Sequence, residues 1–348
     1  MTTDTVGGVW SYSVSLCSSL VKYGIKVTLL AMGTKPNKGQ LIDIEQLKRK
    51  GIDVEFKEVK LEWMDNPQED IVQASTWIKK MVDKFSPDLI HFNNYAQAAE
   101  DWGVSTIVVA HSCVASWWKA VKNDSLPAFY KEYVKMVNQA FSKADALISP
   151  THAILQEYQN LYGIHSNQAV IPNGFQSSIA AVLPSKRNII FAAGRIWDEA
   201  KNISLLLEAA RDIKAEIFIA GSASPKFPSV KNVTFLGELS REQVTNWMRI
   251  SRIYALPVKY EPFGLSFLEA ANYSNTLIGG DIATLREIWE DSMVYCTGSD
   301  KKYFSELCNE LLGNTSKTKM LGDKAYERSR YYTLDRMTER YYSLYSSM

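Results

Sequence analysis

Short apolar runs of the kind that form buried strands alternate with helical segments along this chain. The helical segments include residues 10–23 and 71–85. Such alternation is typical of parallel sheets, in which a helix connects each strand to the next. It therefore predicts an α/β fold with doubly wound parallel sheets. The predicted strands are residues 26–31, 88–92, 106–110, 146–149, 188–193, 216–220, 233–236, 253–257, 276–278 and 293–295.

The length of 348 residues predicts two domains, because domains usually contain about 100–200 residues. The alternation pauses after Pro172-Asn173-Gly174, where a polar segment extends to Arg187. It then starts again, so we place a domain boundary within residues 176–187. An apolar content of 46% is ordinary for a globular protein and suffices for two cores.

Composition and charge exclude several classes of protein. A net charge of +1 lacks the basic bias of a nucleic-acid-binding surface, so no nucleic-acid partner is expected. The sequence has no run of about 18 apolar residues that would span a membrane, and no signal peptide opens it. The four cysteines lack C-x-x-C or metal-ligand spacing, so we expect reduced thiols in a cytoplasmic protein.

The segment Glu261-Pro262-Phe263-Gly264-Leu265-Ser266-Phe267-Leu268-Glu269-Ala270 carries the strongest functional signal. A helix that begins near Gly264 or Leu265 would direct backbone N–H groups at a ligand, which suits a phosphate. Glu261 would precede that helix and Glu269 would lie on its second turn, so the two carboxylates could hold two sets of hydroxyls. The segment thus indicates a nucleotide-sugar site. The alternative is a loop–helix junction with carboxylates at the surface.

Two cations follow the first predicted strand of the second half. Arg195 comes directly after Gly194, and Lys201 lies six residues further on. Arginine offers a planar fork and lysine a point charge to phosphate oxygens, so this loop suits a diphosphate. The alternative is a pair of surface charges at the start of a helix.

In the first half, Gly7 and Gly8 precede the helix that starts near Trp10, and such a pair lets the backbone approach phosphate or sugar oxygens. His111 follows the predicted strand 106–110, at the end where α/β sheets bind ligands. A neutral imidazole there could bind a sugar hydroxyl, although a core histidine is the alternative. His91 also ends a strand and could line an acceptor site, with a structural role at least equally expected.

Trp117 and Trp118 are followed by Lys119 and Lys122. Tryptophan with lysine suits a membrane interface, and paired indoles could also stack on a sugar or belong to the core. This cluster predicts acceptor-side contact or peripheral contact with the inner face of the plasma membrane.

These motifs together resemble the glycosyltransferases of family 4. The string from Glu261 to Glu269 is similar to their EX7E motif, Gly194, Arg195 and Lys201 to their GR…K motif, and the opening TVGGVWSYS to their first loop. The resemblance implies the GT-B architecture, two Rossmann-like domains that face a cleft, with a last helix that returns to the first domain. The implied domains are 1–178 with 332–348, and 179–331.

The resemblance also implies roles for individual residues. Arg195 and Lys201 would contact the diphosphate, Glu261 the donor sugar and Glu269 the ribose, while His111 would lie near the donor sugar. Of these, His111, Arg195, Lys201 and Glu261 would be catalytic. The remaining donor-binding positions would be Gly7, Gly8, Asn173, Gly194, Gly237, Leu239, Phe263, Gly264 and Leu265.

The implied reaction is transfer of a hexose with retained anomeric configuration, from a nucleoside-diphosphate sugar to a glycan or glycolipid acceptor. UDP-glucose is the default donor, and no metal or other cofactor is expected. An inverting GT-B enzyme and a non-catalytic homologue that binds nucleotide sugar are the alternatives. An NAD-dependent oxidoreductase is disfavoured because the chain lacks G-x-G-x-x-G. One departure from the family is the short strand before Gly7.

Overall fold

The computed structural model describes residues 1–163, 167–176, 185–221, 227–297 and 299–348. These residues form two compact units. Unit 1 consists of Met1–Gly174 with Leu334–Met348, and unit 2 consists of Phe175–Thr333. The predicted boundary between residues 178 and 179 lies outside the described residues, so the predicted domain limits stay a prediction.

Unit 1 contains two parallel sheets. The first has the order β1 (Thr2–Asp4), β2 (Thr28–Gly33), β3 (Asp53–Glu58), and the second has the order β4 (Leu89–Phe92), β5 (Ser105–Val109), β6 (Ala146–Ser149), β7 (Asn167–Val170). The helices of unit 1 are α1 (Gly8–Leu20), α2 (Lys38–Arg49), α3 (Gln68–Phe85), α4 (Tyr95–Ala98), α5 (Val114–Lys122), α6 (Lys131–Lys143), α7 (His152–Tyr162) and α14 (Leu334–Ser346).

The first strand is as short as the sequence indicates, and hydrogen bonds from Asn93 add to the backbone hydrogen bonds that hold it in the sheet. β1 has three residues and pairs with β2, Thr2 opposite Leu30. Asn93, directly after β4, donates two hydrogen bonds to Thr2. Its Nδ2 donates to the Thr2 carbonyl oxygen at 2.7 Å, and its backbone N–H donates to Thr2 Oγ1 at 3.0 Å. These bonds attach β1 to the end of the second sheet.

Unit 2 contains one parallel sheet of six strands. Its spatial order is β10 (Val233–Gly237), β9 (Ile217–Ala220), β8 (Arg187–Ala193), β11 (Ser251–Leu256), β12 (Thr276–Gly280), β13 (Val294–Cys296). Its helices are α8 (Ile203–Ala210), α9 (Arg241–Ile250), α10 (Leu265–Ala271), α11 (Ala283–Trp289), α12 (Lys301–Gly313) and α13 (Thr315–Ser329). The strand order reverses between β8 and β11, and ligands of doubly wound sheets bind at the carboxyl ends of the strands at such a point.

The C-terminal helical segment differs from its sequence pattern. The tyrosine-rich segment 328–348 reads as one helix, but α13 ends at Ser329 and α14 begins at Leu334. The break has a physical cause, since the Phe175 N–H donates to the Tyr332 carbonyl at 3.0 Å and Phe175 bridges to Thr333. Helix α14 then buries Met337 and Tyr341 in the core of unit 1. No helix within the described ranges is both long enough and apolar enough to cross a membrane.

Candidate active site

The carboxyl end of β8 forms the first part of the site in unit 2. Gly194 follows β8 with a φ of +158°, and a Cβ there would lie in ordinary van der Waals contact with Lys201 Cε, at 3.8 Å. Tyr254, on β11, donates its hydroxyl to the carbonyl of Ala193 at 2.9 Å. This bond fixes the end of β8 beside the central neighbouring strand, so the loop that follows has a defined start.

Arg195 is held in place by its own loop. Its Nη2 contacts Asp198 Oδ2 at 3.1 Å, and its guanidinium lies 5.6 Å from the ring centre of Trp197. Asp198 is buried and its Oδ1 accepts from the Ala200 N–H at 2.9 Å, so the same carboxylate caps the short turn that carries Lys201. With 39% of its side chain exposed, Arg195 is oriented by the protein yet accessible to a ligand.

Lys201 and Glu261 form a close ion pair across this end of the sheet. Lys201 Nζ lies 2.6 Å from Glu261 Oε2, and the side chains are only 13% and 14% exposed. The other carboxylate oxygen accepts from the Gly264 N–H at 3.0 Å. Thr284 donates its hydroxyl to the Glu261 carbonyl at 2.6 Å. Charges at this depth are favourable only when paired and hydrogen-bonded, and Glu261 meets both conditions.

Gly264 is the residue that makes this arrangement sterically possible. Its φ is +92°, and a Cβ would lie 2.9 Å from Phe267 Cδ2 and 3.3 Å from Leu285 Cδ2. Helix α10 then begins at Leu265, as the sequence indicates. However, one of the amides expected to face phosphate, that of Gly264, donates to Glu261 instead. Phe263 is buried and packs edge-on against Tyr332.

Glu269 lies on the second turn of α10, which begins at Leu265. Burial raises the pKa of its carboxyl group, and the positive charge of Arg241 opposes that rise. Burial is also the main cause of the raised pKa of Tyr254, to which the negative charges of Glu269 and Glu261 add. Both carboxylates therefore act on one buried hydroxyl at the ends of β8 and β11.

The remaining donor-side predictions in unit 2 lie at the end of β10. Gly237 closes this strand with a φ of +70°, and its carbonyl accepts from the Gly221 N–H at 2.8 Å. Leu239 is partly buried and packs against the core of unit 2. The backbone at the end of β10 is therefore held by Gly221, which directly follows the neighbouring strand β9.

In unit 1, Gly7 has a φ of +77° and is the N-cap of α1, which begins at Gly8. Both glycines are exposed. Asn173 is buried near the end of the first segment of unit 1. The structure thus presents the Gly7-Gly8 backbone at the surface and Asn173 in the interior.

His111 follows β5 and lines a cavity of unit 1 together with Asp4, Glu62 and Asn93. Its Nε2 lies 2.8 Å from Asn93 Oδ1, and burial lowers its pKa to about 3, so the ring is neutral. His91 is only 2% exposed, with Nδ1 2.6 Å from the Tyr345 hydroxyl and Nε2 3.2 Å from Asn93 Oδ1. Both ring nitrogens of His91 therefore have protein partners.

Trp117 and Trp118 belong to α5 and begin a row of four aromatic rings. Their ring centres are 6.2 Å apart, Trp118 is 6.0 Å from Tyr130, and Tyr130 is 4.3 Å from Phe129. Phe129 is 72% exposed. Lys122 Nζ lies 5.8 Å from the Trp117 ring and 6.0 Å from the Trp118 ring. We call this row with Lys119 and Lys122 the aromatic–basic patch.

The structure brings together Gly194, Lys201, Glu261 and Gly264 in unit 2. Sequence reasoning missed the residues that hold the site, namely Asp198, Tyr254, Thr284 and, in unit 1, Asn93. One of them carried a usable signal, because Asp198 lies three residues after Arg195 and directly before a turn.

No three His, Cys, Asp or Glu side chains converge as a metal site among the residues that the structure describes. The expectation that the reaction needs no metal stays a prediction.

Comparison with known families agrees with this geometry. The sequence profile of Glycosyltransferase Family 4 matches residues 6–178, and that of Glycosyl transferases group 1 matches residues 176–328. Together they account for nearly the whole chain, and solved structures similar to it are GT-B glycosyltransferases. The chain therefore belongs to the family 4-like glycosyltransferases of the GT-B class, and the predicted α/β fold of that class is confirmed.

Individual relatives are distant. The O-antigen chain mannosyltransferase C of Escherichia coli is 23% identical over 265 residues, which cover 70% of this chain and 69% of the relative. The structure of HepE from Anabaena in complex with UDP and glucose has a TM-score of 0.76 at 14% identity, covering 98% of this chain and 96% of that one. WaaG, a glycosyltransferase involved in lipopolysaccharide biosynthesis, has a TM-score of 0.74 at 14% identity, covering 98% of each chain.

Proposed function

We propose that this protein is a retaining hexosyltransferase that uses a nucleoside-diphosphate sugar, with UDP-glucose as the favoured donor. The observation that carries the proposal is the partly buried ion pair of Lys201 and Glu261, held by the Gly264 amide at the switch point of the unit 2 sheet. A lysine has three N–H donors. Glu261 fixes the direction of this ammonium group while leaving donors that can bind phosphate oxygens.

The proposed chemistry needs charge stabilisation more than a protein nucleophile. As the bond between the anomeric carbon and the phosphate oxygen breaks, negative charge grows on the diphosphate, and Arg195 with Lys201 stabilises it. The acceptor hydroxyl forms its bond to the same face of the anomeric carbon and passes its proton to the departing diphosphate. Glu261 and Glu269 lie on one loop–helix unit, so they suit binding of sugar and ribose hydroxyls rather than attack from opposite faces.

The inverting alternative requires a general base in unit 1, and Glu62 is the candidate. It lines the same cavity as His111, and burial raises its pKa to about 7. However, its carboxylate accepts from the backbone N–H groups of Tyr95 and Ala96 at 2.9 Å and 2.7 Å. These bonds make Glu62 the cap of α4, which favours the retaining proposal.

The donor is tested by binding and then by turnover. We expect one nucleoside diphosphate among UDP, GDP and ADP to raise the melting temperature, because a ligand that binds only the folded state stabilises it. The sugar nucleotides of that base, including UDP-glucose and GDP-mannose, are then assayed for transfer and slow hydrolysis. NMR of the product gives the anomeric configuration. An inverted product contradicts the retaining mechanism, and binding without turnover supports the non-catalytic alternative.

We further propose that the acceptor is a glycan or glycolipid of surface polysaccharide biosynthesis, and that unit 1 contacts an anionic membrane. Two similar proteins support this class of acceptor: the O-antigen chain mannosyltransferase C and WaaG, which is involved in lipopolysaccharide biosynthesis. The aromatic–basic patch supports membrane contact, since indole rings and lysines together suit the headgroup region. Residues 114–143 contain five lysines against one aspartate and one glutamate, a net charge of +3 in a chain whose total is +1.

We expect the double substitution Lys119→Ala and Lys122→Ala to weaken binding to vesicles of phosphatidylglycerol and phosphatidylcholine. Each basic residue near an anionic surface contributes about 1 kcal/mol, so the loss should be roughly 30-fold. Vesicle co-sedimentation measures it. The charge-matched control is the pair Lys48→Ala, in the last turn of α2, and Lys50→Ala, directly after that helix, both at exposed positions. Unchanged vesicle binding with weaker binding of soluble glycans would instead assign the patch to the acceptor.

A further inference from the structure

Asn93 lies at the centre of a hydrogen-bond network in unit 1, and the orientation of its amide is determined by Thr2. Its Nδ2 is 2.7 Å from the Thr2 carbonyl oxygen, which can only accept. The same nitrogen is 3.3 Å from Ser13 Oγ. The nitrogen of the amide therefore faces β1 and α1, and Oδ1 must face the other way, towards two imidazole rings.

Both rings approach Oδ1 with the same atom. His111 Nε2 is 2.8 Å from Asn93 Oδ1, and His91 Nε2 is 3.2 Å from it. An amide oxygen only accepts, so each Nε2 must carry a proton. Burial lowers the pKa of His111 to about 3 and that of His91 well below its usual value, so both rings are neutral and carry a single proton. Neither Nδ1 is then protonated.

The surroundings of His91 are compatible with this assignment. Its Nδ1 lies 2.6 Å from the hydroxyl group of Tyr345 on α14, and a phenol can donate to an unprotonated ring nitrogen. With the opposite tautomer, the lone pair of His91 Nε2 would point at the Asn93 oxygen. The Tyr12 hydroxyl, 3.4 Å from the same Nε2, can accept as well as donate. The contacts of Tyr345, Tyr12 and Asn93 are therefore all compatible with a proton on His91 Nε2.

His111 differs from His91 in its second nitrogen. Within the described part of the chain, Asn93 is the one hydrogen-bond partner of the His111 side chain. The Tyr12 ring packs edge-on against the imidazole at 4.6 Å, and the ring is partly exposed to the cavity that it lines. Nδ1 is then the atom of this ring that can bond to a ligand, and it can only accept.

We propose that Asn93 is a positioning residue that fixes the tautomer of His111, so that His111 Nδ1 is an obligatory acceptor for a hydroxyl group of the bound sugar. The identity of the ligand rests on the proposed function, whereas the tautomer rests on unit 1 alone. An acceptor nitrogen selects a hydroxyl over a phosphate or carboxylate oxygen, because two lone pairs repel. It would therefore bind the hexose rather than the diphosphate.

The tautomer is tested by NMR of protein labelled with ¹⁵N-histidine, because ring nitrogens with and without a proton have well-separated shifts. The chain has four histidines, and loss of one set of signals in His111→Ala assigns the ring. We expect His111 to show a protonated Nε2 and an unprotonated Nδ1 without any substrate. A protonated Nδ1 in the wild-type protein overturns the proposal.

Substitution of Asn93 tests its role directly. Asn93→Leu keeps the approximate volume but removes the acceptor, so we expect the Nδ1-protonated form of His111 to appear. Asn93→Asp keeps an acceptor oxygen, so at alkaline pH His111 should keep its proton on Nε2. This variant replaces the leucine variant in the test if the leucine variant does not fold. A folded leucine variant with the wild-type tautomer, or a folded aspartate variant without it, contradicts the proposal.

Kinetics then separate this inference from the proposed function. Loss of one oriented hydrogen bond in Asn93→Leu should lower kcat/KM for sugar transfer by about tenfold. Binding of the nucleoside diphosphate alone should be unchanged, since the charged groups predicted to hold it, Arg195 and Lys201, are in unit 2. An equal loss of diphosphate affinity would indicate a structural defect and contradict the positioning role. Absence of transfer from any sugar nucleotide in the wild type would refute the function while leaving the NMR result intact.

Discussion

Lys201→Ala should lower the turnover number of sugar transfer by roughly 100-fold or more, which is the range for removal of a group that stabilises transition-state charge. The reason is the position of the ammonium group, which is 13% exposed and fixed by Glu261 at 2.6 Å. At such depth the local dielectric is low, so a fixed cation stabilises a developing diphosphate charge more than a solvated one would. Steady-state kinetics with saturating donor and acceptor measure the effect.

The controls for Lys201 separate charge from folding. Lys214→Ala removes an exposed lysine of the same unit and should leave turnover unchanged. Lys201→Ala also leaves the Glu261 carboxylate without its cation, so the melting temperature should fall as well. Lys201→Ala together with Glu261→Gln removes both charges and should recover stability but not turnover. Turnover near the wild-type value in either folded variant would remove Lys201 from the mechanism.

The fold of unit 2 could be predicted largely from sequence because the strands in the middle of its sheet are buried on both faces. Runs such as NIIFAA and EIFIA are almost entirely apolar, and β8 and β9 appear where these runs occur. β3 and β7 went unpredicted for the opposite reason, since DVEFKE and NQAV are partly exposed edge strands with polar side chains. The apolar content of each strand decided whether it could be predicted, since the edge strand β10 was predicted from the apolar residues of VTFLG.

In the candidate site, too, features set by neighbouring residues could be predicted, whereas contacts between residues far apart in the sequence could not. The turn at Gly264 and the start of α10 at Leu265 follow from residues adjacent in sequence, and the sequence indicated both. The second partner of the Glu261 carboxylate is Lys201, which lies 60 positions away in the chain. Such a partner choice depends on three-dimensional packing, which motif spacing does not encode.

Asn93 is the clearest case of a residue that only the structure reveals. Its side chain contacts Thr2, Ser13 and both histidines, four residues from four different segments. In the sequence it is one of two asparagines after an ordinary strand. His91 and His111 were visible as candidates because imidazole is chemically distinctive, whereas the amide that orders them was not.

Glu269→Gln should weaken binding of the nucleoside diphosphate by about 10- to 100-fold and at the same time raise the melting temperature of the protein without ligand at neutral pH. Hydrogen bonds from ribose hydroxyls to a charged group contribute about 1.5–3 kcal/mol, and glutamine replaces them with weaker neutral ones. The stabilisation has a separate cause, because glutamine removes a carboxylate that is unfavourable in its buried position. Calorimetric titration and thermal unfolding measure the two effects.

The pH dependence distinguishes this explanation from a general change in packing. Burial raises the pKa of Glu269, so the folded protein keeps this proton to higher pH than the unfolded chain does. Stability from this group is therefore complete below the ordinary carboxyl pKa and is lost as the pH rises through the raised value. The gain in Glu269→Gln should accordingly disappear in acid and grow towards neutral pH, whereas Glu45→Gln, at an exposed position of α2, should show no such trend. A pH-independent gain would mean that the pKa of Glu269 is the same in the folded and unfolded states, so that the stabilisation comes from packing. Unchanged diphosphate affinity would remove Glu269 from the ribose site.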